Sequence, residues 1–486
     1  MKILINPIKF SLFLLLPANL FAQPGKLLWK AAFFPPATWS TPAIIQNKII
    51  IQGQDGGMFC YDVNSGNLLW KDSINFGGQM HHPKVANGYI YTTSGISGFC
   101  KVDPGDGKII WNRTDLKYYL TQGTPVGKGN IFLATQLSDL YCLNETNGAT
   151  RWKKTMQTAS LLLHPNGNEL IVSEFGHARI LGLNVTDGSI KWQITLNDTM
   201  GKAGVMALKD SSVLIVCSDM TYTMETQKYY GINLQSKTIM WETDSIGYTA
   251  DYAPPALFDT VIVISTRKNL GTEPQKLRAL SIYSGKQLWS KDNRYGSSGR
   301  SIIPVALDAK VFYCNNSDTA TKEGWVCANI YTGQKLWVAD ADSLTHMFSY
   351  GGLLVYNNKL YGATHMSGLF CFDAGSINGS WTMYAANAYN TCSAAFNPGT
   401  SFKERNTSLQ VQGVISPNPS SGHLILYDFE RGTKYEIIDM KGTQIISGIL
   451  NEMNHQMDLS GLFQGIYFIK VSMDGKLSNT YKWVKW

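Results

Sequence analysis

Tyr61-Asp62-Val63-Asn64-Ser65-Gly66-Asn67-Leu68-Leu69-Trp70 is one version of a phrase that recurs along most of the 486-residue chain. The versions share a small polar residue eight positions before a tryptophan, and most also have a glycine four positions before it. Such residues tolerate positive φ and bond their own backbone, so they favour a tight turn. Apolar residues alternate on both sides of the turn. The phrase therefore predicts a β-hairpin whose outer strand ends in the tryptophan.

The tryptophans of this phrase follow one another at intervals of 41, 41, 41, 40, 49, 48, 48 and 44 residues. They are Trp29, Trp70, Trp111, Trp152, Trp192, Trp241, Trp289, Trp337 and Trp381. A period of about 40 to 50 residues indicates one repeated supersecondary unit. Two more strand signals precede each hairpin, as in Thr41–Ile45 and Lys48–Ile51, so each unit contains four short strands.

Four short strands in a unit of this length are typical of a β-propeller blade. A β-solenoid is the alternative, but its repeats span only about 20 to 30 residues. We therefore predict an all-β chain in which an eight-bladed propeller of four-stranded blades, or a seven-bladed one, is followed by a small β-sandwich. The tryptophans predicted to pack between blades are Trp70, Trp111, Trp152, Trp192, Trp241, Trp289, Trp337 and Trp381. Trp29 ends an extra half-copy, so both Trp29 and Trp381 are candidates for the strand that closes the ring.

The repeat resembles that of pyrroloquinoline-quinone (PQQ) propellers, in phrases such as Asn329–Trp337 and Thr124–Ala134. The resemblance covers residues 24–385 and implies the propeller fold. It does not fix the activity, because this repeat builds both quinone enzymes and binding scaffolds. Quinone enzymes of the family carry a carboxylate-rich pocket for calcium and quinone, and many have two adjacent cysteines. This chain has no Cys-Cys pair and no Asp, Glu or Asn group that matches the enzyme pattern, so we expect neither PQQ nor calcium.

The two ends of the repeat region have different compositions from the repeat itself. Residues 1–22 are predicted to be a secretory signal peptide, with Lys2 and Lys9 at its start, a short apolar run, and the small residue Ala22 before the cleavage position. The run is too short to span a membrane, which takes about 20 residues, and no longer one follows, so no transmembrane segment is expected. Residues 386–413 lose the period and are rich in Asn, Ser, Thr and Gly, which predicts a linker.

Residues 414–486 begin with Val414-Ile415-Ser416-Pro417-Asn418-Pro419 and continue with closely spaced strand and turn signals, which predict the small β-sandwich. From this entry to the final Lys482–Trp486, the segment resembles the C-terminal type A sorting domain of the type IX secretion system. The resemblance implies the type IX machinery as a partner. It also implies a Gram-negative cell of the Bacteroidota type, and a protein that is secreted or held at the outer cell surface.

The loops that precede the first strand of each repeat are expected to meet at one face of the ring, near its axis. They supply aromatic, imidazole, carboxylate and guanidinium groups, which suit a glycan or peptide ligand. The candidate ligand-binding residues are Trp39, His81, His82, Gln122, Asp251, Tyr252, Arg300 and His346. Solvated loop tips are the alternative for each of them. Adjacent histidines on a strand point to opposite faces, so His81 and His82 predict no shared metal ion, and no catalytic residue is assigned.

Most of the eight cysteines recur at one place in the repeat. Cys60, Cys142, Cys327 and Cys371 lie ten residues before a repeat tryptophan, and Cys100 lies eleven before one. A repeated place on an inner strand predicts small, buried, free thiols. Cys314 and Cys327 fall on consecutive strands of one repeat, so a disulfide between them is a further hypothesis. No Cys-x-x-Cys motif supports a zinc or haem site of that type.

The formal charge of +7 is spread along the chain without a basic cluster, so nucleic-acid binding is not expected. Together these patterns predict a secreted or surface-exposed, non-catalytic propeller that binds a protein or glycan ligand or acts as a scaffold. The alternative is an enzyme, either a PQQ-dependent dehydrogenase or a glycan-active propeller.

Overall fold

The computed structural model describes residues 23–31, 41–53, 57–72, 82–94, 98–116, 124–135, 139–174, 177–196, 201–209, 211–220, 228–244, 246, 254–266, 275–293, 303–316, 323–339, 352–364, 368–378, 380, 414–416, 420–427, 429, 431–440, 443–451, 455–473 and 479–485. The segments predicted as signal peptide (1–22) and linker (386–413) lie outside these residues. The chain divides into two compact units, residues 1–400 and 401–486.

The first unit contains eight four-stranded antiparallel sheets among its described residues, and seven of them use four consecutive strands. Sheet 2 consists of β2 (Ala43–Ile45), β3 (Lys48–Gln52), β4 (Met58–Asp62) and β5 (Leu68–Asp72). Sheet 3 consists of β6 (Lys84–Ala86), β7 (Tyr89–Ser94), β8 (Gly98–Val102) and β9 (Ile109–Arg113). Sheet 4 consists of β10 (Val126–Gly127), β11 (Asn130–Ala134), β12 (Asp139–Asn144) and β13 (Thr150–Thr155).

Four further sheets of the same kind complete this series. Sheet 5 consists of β14 (Thr158–Leu163), β15 (Glu169–Glu174), β16 (Arg179–Asn184) and β17 (Ile190–Thr195). Sheet 6 consists of β18 (Gly201–Lys209), β19 (Val213–Met220), β20 (Tyr229–Asn233) and β21 (Thr238–Glu242). Sheet 7 consists of β22 (Ala256–Phe258), β23 (Val261–Thr266), β24 (Gln275–Ser281) and β25 (Gln287–Asn293). Sheet 8 consists of β26 (Val305–Leu307), β27 (Lys310–Asn316), β28 (Glu323–Asn329) and β29 (Lys335–Val338).

Sheet 1 joins the two ends of the repeat region. It consists of β30 (Leu354–Tyr356), β31 (Lys359–Thr364) and β32 (Gly368–Asp373), with the N-terminal strand β1 (Leu27–Ala31) in the outer position beside β32. The Gly25 N–H donates to the Asp373 carbonyl oxygen at 2.8 Å, as the Gly66 N–H donates to the Asp62 carbonyl oxygen at 2.9 Å within sheet 2. The Trp29 strand therefore takes the outer place in sheet 1, while Trp381 lies outside the described residues.

The recurring turn is held by its first residue. The Asp62 Oδ1 atom accepts hydrogen bonds from the backbone N–H groups of Asn64 (3.0 Å) and Ser65 (2.8 Å). These bonds hold the pKa of the Asp62 carboxyl below its usual value. Gly66 follows with φ 71°, in the left-handed region where glycine is favoured. The turn chemistry predicted from the phrase is confirmed in these contacts.

Each repeat tryptophan among the described residues packs on the turn of the next sheet. A methyl group on the facing glycine would lie 2.5 to 3.1 Å from the indole ring. The pairs are Trp29 on Gly66, Trp70 on Gly107, Trp111 on Gly148, Trp152 on Gly188, Trp241 on Gly285, Trp289 on Gly333 and Trp337 on Gly25. Sheet 6 has Lys237 in place of this glycine, and its ammonium lies 4.2 Å from the centroid of Trp192. These contacts link the eight described sheets in a closed cycle, and the predicted all-β propeller is confirmed.

The outer strand of every one of these eight sheets contains a β-bulge directly before the tryptophan. In sheet 2, Cys60 pairs with Trp70 and Tyr61 with Leu68, so Leu69 has no partner in the register. A bulge increases local twist and breaks the regular row of backbone groups that an edge strand offers to another chain. The bulged residue is a half-exposed aliphatic side chain or methionine in six sheets and Arg151 or Lys191 in the other two.

The described cysteines are all free thiols, which corrects the hypothesis of a Cys314–Cys327 disulfide. In the register of β27 and β28, Cys314 lies opposite Trp325 and Cys327 lies opposite Phe312. The two cysteines are thus diagonal neighbours whose Cα atoms lie about 7 to 8 Å apart, which is too far for a disulfide. Burial raises the pKa of the thiols that recur at the inner-strand position, such as Cys60 and Cys327, to about 12. They remain protonated and unreactive at neutral pH, as the prediction of buried free thiols requires.

The second unit is the predicted small β-sandwich. One sheet consists of β33 (Val414–Ser416), β34 (His423–Tyr427) and β37 (His455–Asp458). The other consists of β36 (Gln444–Ile449), β35 (Lys434–Asp439), β38 (Gly465–Ser472) and β39 (Asn479–Lys485), in that order. Both sheets contribute to one core, in which Leu426 of the first sheet and Ile437 and Trp483 of the second are fully buried.

Candidate functional site

Of the eight residues predicted at the axial face, the structure describes His82. Its Nδ1 atom accepts a hydrogen bond from the Thr41 N–H at 2.8 Å, and the Thr41 Oγ1 atom accepts one from the Gly352 N–H at 2.8 Å. Each of these three residues precedes the first strand of its sheet by two positions, so the bonds link sheets 3, 2 and 1 in series. A backbone donor at Nδ1 places the ring proton of neutral His82 on Nε2.

His82 therefore has a structural contact at the boundary between two sheets, whatever its further role. The other candidates lie outside the described residues, and the axial site stays a prediction for Trp39, His81, Gln122, Asp251, Tyr252, Arg300 and His346.

A groove lies between sheets 7 and 8, next to the contact of Trp289 with Gly333. Its volume is about 510 Å³. We call it the lysine groove, and it is lined by Lys276, Ser290, Lys291, Asp292, Tyr313, Gly333 and Lys335. The packing of Trp289 on Gly333 fixes the spacing of the two sheets. Strand β25 then continues past the tryptophan and carries Ser290, Lys291 and Asp292 along the edge of the groove.

The lysine groove has three ammonium groups and one carboxylate. Lys276 Nζ lies 3.3 Å from Asp292 Oδ1, which balances one positive charge. Lys291 is exposed and has no hydrogen-bond or ion-pair partner among the described residues. The cations at the equivalent position of two other sheets are engaged, since Arg113 donates to the Gly148 carbonyl oxygen (2.8 Å) and Lys154 to that of Gly188 (3.4 Å). The ammonium of Lys291 is thus available to a ligand.

A second polar cluster lies buried between sheets 3 and 4, and the sequence analysis missed it. The carboxylate of Glu145 accepts hydrogen bonds from the Tyr91 hydroxyl (2.7 Å) and from Asn87 Nδ2 (2.9 Å). Lys101 Nζ donates to the Glu145 carbonyl oxygen at 3.3 Å and lies 3.8 Å from the centroid of Tyr89. Lys101 is 6% exposed and Glu145 is 8% exposed. Burial lowers the pKa of Lys101, and the nearby Glu145 carboxylate opposes that shift.

This cluster departs from the repeat at two positions. The equivalents of Lys101 are small residues: Cys60, Cys142, Gly182, Gly231, Ala279, Cys327 and Cys371. The equivalents of Glu145 are apolar: Val63, Pro104, Val185, Leu234, Ile282, Ile330 and Ala374. An alignment of the repeats within the chain shows that Lys101 and Glu145 both differ from their equivalents. It does not show that the two residues are in contact.

The described part of the chain lacks two kinds of feature. It contains no group of three or more His, Cys, Asp or Glu side chains placed to hold a metal ion. It also contains no helix with the length and hydrophobicity that a membrane crossing needs.

Comparisons with known proteins agree with this architecture. Residues 19–117 and 100–247 match the family model described as outer membrane protein assembly factor BamB, a PQQ repeat family. Residues 414–485 match the secretion system C-terminal sorting domain. The chain carries PQQ-type repeats and a type IX sorting domain. The sorting domain indicates export and delivery to the cell surface.

Relatives of the PQQ-type propeller include a hydrolase and BamB proteins. Tetrathionate hydrolase of Acidithiobacillus ferrooxidans is 22% identical over 318 residues, which cover 61% of this chain and 56% of that protein. BamB of Yersinia pestis is 22% identical over 294 residues, which cover 54% of this chain and 72% of that protein. The chain thus spans little more than half the length of the tetrathionate hydrolase.

Solved structures share the fold at low identity. The crystal structure of BamB from Moraxella catarrhalis has a TM-score of 0.53 at 12% identity and covers 71% of this chain and 99% of its own. Saccharomyces cerevisiae Sqt1 has a TM-score of 0.55 at 11% identity and covers 73% of this chain and all of its own. Likeness at this level concerns the fold alone.

Proposed function

We propose that the protein is a non-catalytic binding module that the type IX secretion system exports from a Gram-negative cell, and that it holds a protein or glycan ligand at the cell surface or in the medium. It works without PQQ or calcium. The observation that carries the binding role is the lysine groove, a cavity of about 510 Å³ bordered by the ammonium of Lys291, which has no partner among the described residues. Pockets of about 300 to 1,000 Å³ with a few placed polar groups are typical of small-molecule sites.

The state of the described thiols and of His82 also supports a non-catalytic role. The recurring thiols are buried and protonated, and His82 is bonded to the backbone of the neighbouring sheet. Matches to proteins named BamB are consistent with an assembly or binding task, whereas the tetrathionate hydrolase makes an enzyme the competing proposal.

The absence of quinone chemistry is open to a direct test. The mature chain, incubated with calcium and PQQ and then desalted, is expected to show no stoichiometric quinone absorbance band and no dye reduction with primary alcohols. An apo quinone dehydrogenase treated in parallel serves as the positive control. A stoichiometric band with dye reduction would replace the binding proposal with the enzyme.

Export is expected to depend on the second unit. Removing residues 414–486 should leave the propeller in the periplasm, because the signal for the outer membrane step is gone. Trp483→Ala should do the same at full length, since this fully buried indole packs in the sandwich core and donates to Ser420 Oγ at 3.1 Å. Gln444→Ala, at an exposed position, is the matched control. Cell fractionation and surface proteolysis measure the outcome, and surface delivery of the truncated chain would contradict it.

A further inference from the structure

We propose that the lysine groove binds an acidic carbohydrate, with the ammonium of Lys291 paired to a carboxylate or sulfate of the sugar. The inference rests on the proposed binding role and adds the class of ligand. It concerns the outer edge of the ring between sheets 7 and 8 rather than the predicted axial site.

The charge of the groove supports an anionic ligand. Lys291 and Lys335 border the groove, while Asp292 is paired with Lys276 on the opposite face of sheet 7. Lys335 adds a cation two positions before a repeat tryptophan, where the other outer strands have Leu27, Leu68, Ile109, Thr150, Ile190, Ile239 and Gln287. The concentration of positive charge is therefore specific to this boundary between sheets and does not come from the repeat.

The availability of Lys291 is the second argument. Arg113 and Lys154 occupy the same position in sheets 3 and 4 and close onto the glycine carbonyl of the next sheet. At the boundary of sheets 7 and 8 the corresponding bond to Gly333 is not made, and the cavity lies beside the lysine instead. A ligand oxygen replaces most of the hydration that an exposed ammonium gives up on binding. A charge-assisted hydrogen bond to Lys291 is therefore favourable.

The small number of cations favours a sugar over a polyphosphate. Ser290 and Asp292 neighbour Lys291 on β25 and point to the opposite face of sheet 7, so Lys291 and Lys335 are the cations on the faces that meet at the groove. Two cations suit a ligand with well-separated anionic groups, as in a sugar with one anionic group on each ring, better than closely spaced phosphates. The cavity volume of about 510 Å³ is of the size that holds one or two sugar rings.

The test uses the full mature chain and trigalacturonate as the probe, with binding measured by calorimetry at low and high salt. We expect saturable binding that weakens with salt. Lys291→Gln should lower the affinity roughly 5- to 10-fold, as expected for loss of one charge-assisted hydrogen bond. Lys154→Gln is the matched control, because it removes the same charge at the equivalent repeat position and should leave the affinity unchanged.

Three results would overturn the inference: no binding of trigalacturonate, equal affinity for the neutral sugar maltotriose, or equal affinity for inorganic phosphate alone. An affinity that is the same in Lys291→Gln and in the parent chain would remove the lysine groove from the site. These outcomes are independent of the quinone test. The quinone test distinguishes a binding module from a quinone enzyme, and its result does not depend on what the groove binds.

Discussion

Lys101→Cys is expected to destabilise the propeller by about 3 to 5 kcal/mol, because it leaves the buried Glu145 carboxylate without the nearby positive charge that offsets it. The substitution leaves the Glu145 carboxylate 8% exposed, with Tyr91 and Asn87 as donors but no cation beside it. Glu145→Val should cost a similar amount, because it leaves the buried Tyr91 hydroxyl without its acceptor and the buried Lys101 ammonium without a nearby negative charge, while the carbonyl oxygen of residue 145 still accepts from Lys101. Urea denaturation of the full chain, followed through the transition of the first unit, gives the free energies.

The decisive variant restores the residues that other repeats use. Combining Lys101→Cys and Glu145→Val with Tyr91→Phe gives this boundary the side chains of Cys142, Val185 and Phe132. Its stability should return to within about 1 kcal/mol of the parent, since well-packed apolar groups often replace a buried ion pair without loss. Lys153→Cys, at a half-exposed ion pair with Asp139, should change stability by less than about 1 kcal/mol. A triple variant as unstable as the single ones would contradict this account.

Trp29→Ala is expected to cost about 3 to 5 kcal/mol, the usual range for truncating a large aromatic residue in a core. Trp29 packs on Gly66 of sheet 2 and lies 6.0 Å, centroid to centroid, from Tyr361 of its own sheet. Removing residues 23–31 should cost more, because Trp337 also loses Gly25 as its facing residue and β32 becomes an unpaired edge. Denaturation and sedimentation velocity measure stability and association, which an open edge promotes.

Leu28→Ala is the matched control for the closing strand. Leu28 is the bulged residue beside Trp29 and is 46% exposed, so its truncation should change stability by less than about 1 kcal/mol. Trp381→Ala tests the competing way of closing the ring. A large loss in Trp381→Ala with little change in Trp29→Ala would show that β1 does not close the propeller.

The repeated turn and its strands could be read from the sequence because they depend on neighbours in the chain. Asp62, Ser65 and Gly66 lie within five residues, and their hydrogen bonds and positive φ are properties of those residue types. The two-unit organisation could be read for a similar reason, since the period stops and a separate strand pattern begins. The burial of Cys60 and its equivalents followed from their fixed place on an inner strand.

Features that depend on the register of paired strands could not be predicted from the sequence. The diagonal placement of Cys314 and Cys327 follows from the pairing of β27 with β28, which a spacing of thirteen residues does not specify. The bulge before each tryptophan is likewise a property of pairing, and only the register shows it. The axial site falls mainly on segments outside the described residues, so the ligand-binding role of all eight residues, His82 included, stays a prediction.

By itself the sequence determined that this protein is a propeller of four-stranded PQQ-type repeats with a sorting domain, because turn chemistry and periodicity are local and recur. The tertiary structure decided which strand completes sheet 1, that the described repeat indoles rest on the turn of the next sheet, that Lys101 meets Glu145, and that Lys291 has no partner among the described residues. The closing contacts join residues up to about 350 positions apart, such as Gly25 and Asp373. Only the closure of the ring brings such residues together, and no local pattern encodes the pairing.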